Sequence, residues 1–70
     1  MMPIIYANQG EENIVRKIGG SPEVKRHLED LGFTPGAVVT VVSSLGGNLI
    51  VRVKESRIAL DKELAGKVMI

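Results

Sequence analysis

Residues Val24 to Gly36 read VKRHLEDLGFTPG, and Ala37 to Val53 continue AVVTVVSSLGGNLIVRV. The fold is decided here, because the apolar period changes from that of a helix to that of paired strands. Val24, Leu28 and Leu31 recur at i, i+4 and i+7, one stripe of a short helix, while Lys25, Arg26, Glu29 and Asp30 take the wet side. Gly32 stops the helix as a residue free to adopt positive φ. Phe33 is expected to fold back onto the stripe, and Pro35 with Gly36 reverses the chain. From Ala37 to Ser44 β-branched residues dominate, as a pleated, half-buried strand favours, with Val39 and Val41 inward. Gly46-Gly47-Asn48 forms the hairpin turn. On the return, Leu49, Val51 and Val53 alternate with Ile50, Arg52 and Lys54, which puts one set on a core and the other on a surface.

Toward the N-terminus, Ser21 can cap the helix, Pro22 fits its first position, and Glu23 answers the positive end of the dipole. Gly19-Gly20 ends a preceding strand, Asn13 to Ile18. Its alternation is imperfect, since Ile14 and Ile18 share a parity with Arg16 between them, and a bulge turning Arg16 outward would reconcile the pattern. Residues 3 to 7 read as an edge strand or a packed N-terminal arm, closed by a turn at Asn8-Gln9-Gly10. Toward the C-terminus, Glu55-Ser56 is a tight turn and Arg57 to Leu60 a short strand. Asp61 caps a single helical turn through Ala65, Gly66 releases it, and Lys67 to Ile70 closes the set with Val68 and Ile70 inward. About five short strands with one inserted α-helix make an all-β fold. A sheet this small avoids open edges best by curling on itself, so the expectation is a single domain over 1–70, an SH3-like, partly open small β-barrel.

The totals narrow the chemistry. A 70-residue chain buries only about 60% of the surface its unfolded form exposes, so its stability margin is thin. With no cysteine there is no disulfide and no thiolate metal site. Nine Lys and Arg against eight Asp and Glu leave a net charge of +1, too balanced for a general nucleic-acid binder. No apolar run approaches the roughly 18 residues of a membrane span. The start, Met1 to Tyr6, has no basic n-region or sustained apolar h-region, so the chain is expected to stay in the cytoplasm.

Candidate chemical sites fare poorly. One histidine, His27, and scattered carboxylates do not build a tight transition-metal site, and Glu29 and Asp30 are adjacent on the helix and point apart. Ser21, Ser43, Ser44 and Ser56 sit at caps and strand ends, where hydroxyls serve turns, so no nucleophile is paired with a base. Gly46-Gly47 lacks the spacing and the Lys of a phosphate-binding loop. No enzyme activity and no cofactor are expected. With Tyr6 and Phe33 as its two aromatic residues, the chain cannot line a groove for proline helices.

From Gly10 onward the sequence resembles the FeoA family, the ferrous iron transport proteins A. Leu31-Gly32-Phe33-Thr34-Pro35-Gly36, then Gly46 to Val53, then Arg57-Ile58-Ala59-Leu60 followed by Ala65 carry the resemblance. The same domain is similar to the C-terminal SH3-like part of DtxR-type metal-dependent repressors, but this chain has no room for their DNA-binding winged helix. The resemblance implies an accessory role in ferrous iron uptake, by contact with FeoB, a membrane permease with a cytosolic G domain. Where the family often carries Lys or Arg just before the Leu28 position, this chain has His27. The candidate partner-binding residues are Arg26, Ile50, Arg52, Lys54 and Arg57. Val38, Val42 and Met69 lie on outward parities beside them, as exposed apolar surface or as cover for a second small cluster. Two alternatives stay open. Arg52, Lys54 and Arg57 could make a nucleic-acid-binding small barrel, although no nucleic acid is the leading expectation, and an exposed sheet edge could support weak self-association.

Overall fold

A computed structural model describes residues 1–70. In chain order it contains a 3-10 turn (Ile4–Tyr6), strands β1 (Glu12–Ile14) and β2 (Lys17–Ile18), helix α1 (Pro22–Asp30), strands β3 (Val38–Leu45), β4 (Asn48–Val53) and β5 (Ser56–Leu60), the short helix α2 (Lys62–Ala65) and strand β6 (Val68–Met69).

Helix α1 begins and ends as its sequence dictates. The Ser21 hydroxyl accepts from the Val24 N–H at 3.3 Å, and Pro22 opens the first turn, where its missing N–H costs nothing. At the other end Gly32 takes φ +109°. Its N–H donates to the Glu29 carbonyl and that of Phe33 to the Leu28 carbonyl, both at 3.0 Å. That pair of bonds is a Schellman motif. It swings Phe33 back beneath the helix, where Phe33 and Leu28 are fully buried in the same core. The chain then reverses through Pro35 and Gly36 (φ +93°), with the Ala37 N–H donating to the Thr34 carbonyl at 2.9 Å, a type II turn.

The main sheet runs β1-β3-β4-β5, antiparallel throughout. Val39, Val41, Leu49, Val51, Val53 and Leu60 face inward and are buried, as the alternation requires. The β3–β4 turn is tighter than expected. Leu45 pairs with Asn48 across Gly46 and Gly47 alone, both at positive φ (61° and 88°), the geometry of a type I′ hairpin. Asn48 is thereby free of the turn, and its Oδ1 accepts the Lys62 N–H at 3.0 Å, tying α2 to the hairpin. A bulge between Val41 and Ser43 sets Val42 out of register.

The stretch from Asn13 to Ile18 is not one bulged strand. Up to Ile14 it belongs to the main sheet, with Ile14 opposite Val38. The Val15 N–H still donates to the Ala37 carbonyl, at 2.9 Å, but the Arg16 N–H turns to Met69 at 2.8 Å, and Lys17 and Ile18 pair with Met69 and Val68 of β6. The chain passes from one sheet to the other between Val15 and Arg16. This switch buries Val15 and Ile18 and leaves Ile14 on the outside. The N-terminal residues form a packed 3-10 turn rather than a strand. Ile4 is buried, and Met2 and Ile70 exchange backbone bonds at 2.9 and 2.8 Å.

Backbone pairing thus continues from β5 through β4, β3 and β1, around the corner into β2, and on to β6 and Met2. No ladder joins β6 to β5, and α2, which follows β5, packs against β4, β5 and the 3-10 turn. The result is a partly open barrel around a core that contains no polar or charged side chain.

Candidate functional site

With the core purely apolar, the surface carries whatever chemistry the chain has, and the outer face of the main sheet sets cations beside open apolar side chains. Antiparallel register places side chains in rows across the strands. One row runs Glu12, Thr40, Arg52, Arg57, with Arg52 directly opposite Arg57. A second brings together Ile14 and Val38, 54% and 50% exposed. A third places Ile50, 37% exposed, opposite Ala59.

Lys54 completes the positive group from the turn between β4 and β5. It is the one residue other than glycine with positive φ, at 56°. Its side chain lies over Gly32, where an added methyl would stand 3.7 Å from Cδ and Cε. Glu12, Val38, Thr40, Arg52 and Lys54 line a shallow depression of about 340 Å³. At the other end of the face, a more apolar groove of about 530 Å³ lies between the hairpin tip and α2, lined by Leu45, Leu49, Ile50, Ala59, Leu60 and Leu64.

The structure therefore brings Ile50, Arg52, Lys54 and Arg57 onto one face, with Val38 beside them. Arg26 stands apart, on the exposed side of α1, a helix that packs against β2. Val42 and Met69 are half-buried, Val42 by the bulge and Met69 by pairing in β6, so neither contributes the open apolar surface expected of it. Two exposed apolar residues join the face unforeseen. Ile14 arrives there through the sheet switch, and Leu45, 85% exposed, stands at the hairpin tip. For Leu45 the sequence does hold a signal, because a residue directly before a two-glycine turn lies beyond the edge of any core.

His27 is exposed on the last turn of α1, and no three His, Asp or Glu side chains converge anywhere on the surface. No helix is long and apolar enough to cross a membrane.

Residues 2–70 match the family model described as the FeoA domain. The chain is 34% identical over 70 residues to a candidate Fe(2+) transport protein A of Methanocaldococcus jannaschii, a match that covers 100% of this chain and 85% of that protein. The crystal structure of Stenotrophomonas maltophilia FeoA in complex with zinc, described as a procaryotic SH3 domain protein, is similar with a TM-score of 0.86 and 27% identity. That match covers 99% of this chain and 88% of the other. A manganese-dependent transcriptional repressor shares the fold alone, with a TM-score of 0.84 at 16% identity, over 97% of this chain and 41% of the repressor. The expected all-β, SH3-like architecture is the architecture found, and this chain belongs to the FeoA family.

Proposed function

We propose that this chain is an accessory protein of ferrous iron uptake that works in the cytoplasm by contact with the cytosolic domain of a FeoB-type permease. The outer face of the main sheet is the contact surface. Family membership supports the pathway. The face supports the mode, since it combines open apolar side chains (Ile14, Val38, Ile50) with three cations, as a protein-docking surface does.

The observation that carries the choice of face is Lys54. A lysine held at positive φ is strained where glycine would sit without cost, and such strain concentrates where a side chain has a task. Arg52 and Arg57, like charges held opposite each other, add a second local cost that an acidic partner surface would relieve. Arg26, on α1, is the secondary contact in this reading. The chain carries out no turnover of its own and biases the permease by binding one of its states more tightly than another.

The test is a titration of the permease's cytosolic domain with the wild-type chain and with Arg52→Glu/Lys54→Glu/Arg57→Glu. The triple variant is expected to bind about tenfold or more weakly, and wild-type binding to weaken as salt rises. Equal binding by the two proteins would remove this face from the contact. Salt-dependent binding of RNA or DNA at physiological ionic strength would instead select a nucleic-acid-binding barrel. The face has no aromatic side chain for base stacking, since Phe33 is in the core and Tyr6 on the 3-10 turn.

A further inference from the structure

Strand β5 ends the main sheet. Val53 pairs with Ser56 across the Lys54-Glu55 turn, so Ser56, Ile58 and Leu60 direct their backbone groups to β4, and Arg57 and Ala59 direct theirs away from it. Neither Arg57 nor Ala59 makes a backbone bond beyond the β4 ladder, and both residues are exposed. This edge has no proline and no bulge, two devices that ordinarily blunt one. Arg57 has a like charge, Arg52, opposite it on its paired side and an open position on the other. Asp61, two residues past Ala59, is exposed and extended (φ −72°, ψ 169°). The order Arg57, Ala59, Asp61 is complementary in charge to its own reverse.

We propose that a second copy of this chain docks antiparallel along β5 about a two-fold axis through Ala59. Charge selects this register. Centring the axis on Arg57 would oppose two arginines, and centring it on Ile58 would oppose Arg57 to Ala59. Centring it on Ala59 sets each Arg57 opposite Asp61 of the second copy, the isologous pairing that a two-fold interface demands. The two Ala59 residues then exchange backbone bonds, and each Asp61 N–H donates to the Arg57 carbonyl across the axis. Each Arg57 N–H in turn donates to the Asp61 carbonyl of the second copy, which accepts the Ala65 N–H at 2.8 Å through one lone pair and has a second to offer. Ile50 and Ala59 of the two copies form one apolar row across the axis, and the main sheets join into a single continuous sheet.

The test follows the whole chain by sedimentation equilibrium and amide hydrogen exchange, in a concentration series up to about 1 mM, the range suited to a small edge-to-edge contact. The mass is expected to rise from 7.5 kDa toward twice that value, with the Ala59 amide gaining protection as concentration increases. Arg57→Glu opposes carboxylate to carboxylate and is expected to weaken association about tenfold or more, and Asp61→Asn, which keeps the capping oxygen, less. Ala59→Pro removes an edge N–H without touching the β4 ladder and is expected to abolish association while the circular dichroism spectrum is kept. If that variant does not fold, Arg57→Glu, an exposed substitution, decides. A chain that stays monomeric throughout, an Ala59 amide indifferent to concentration, or a dimer unchanged by Arg57→Glu overturns the proposal.

Discussion

Lys54 occupies a turn position where two-residue hairpins ordinarily place glycine, with φ at +56°. Replacing it tests strain and function separately. Lys54→Gly relieves a left-handed backbone cost of about 1–2 kcal/mol against about 0.5–1 kcal/mol of added chain entropy, so unfolding stability is expected to rise by up to about 1 kcal/mol, read from urea or thermal unfolding. The same change removes a cation from the face and is expected to weaken permease binding. A variant both less stable and equally well bound would show that the lysine stem over Gly32 matters more than its charge. Phe33 shows the opposite case, a side chain with no surface role. It is fully buried beneath α1, delivered there by the Gly32 cap, and Phe33→Ala is expected to cost about 3–5 kcal/mol. That is comparable with the whole stability of a small domain, so circular dichroism and urea titration should find the variant largely unfolded.

Among the elements, those built from contacts near in sequence were legible. α1 could be read from its Ser21 cap, its Val24-Leu28-Leu31 stripe and its Gly32 stop, and β4 from strict alternation of Leu49, Val51 and Val53. α2 belongs with them, since Asp61 announces it and the Asp61 Oδ1 accepts the Leu64 N–H at 2.8 Å. Asp61→Ala is expected to cost about 1 kcal/mol in thermal or urea unfolding, with Asp61→Asn nearly silent, because only the former loses the acceptor. What escaped reading depends on distant partners. The corner between Val15 and Arg16 exists because Met69, near the other end of the chain, accepts the Arg16 N–H, and no local pattern signals that. The candidate face inherited the same division. Parity along β4 is enough to place Ile50 and Arg52 on the outer side of the sheet, whereas Ile14 and Ile18, of one parity in sequence, lie on opposite sides of the sheet switch, and the bulge takes Val42 off its parity.

At the scale of the molecule, the core is wholly apolar, and the outer face of the main sheet is cationic and partly apolar. The proposed contact with a ferrous iron permease rests on that face. The most direct measurement is a two-dimensional NMR titration of the 15N-labelled chain with the permease's cytosolic domain, following every backbone amide. The largest shifts are expected at Ile14, Val38, Ile50, Arg52, Lys54 and Arg57, on the outer face of the main sheet. Shifts confined to the 3-10 turn, β2 and β6, with that face unmoved, would contradict the proposed contact.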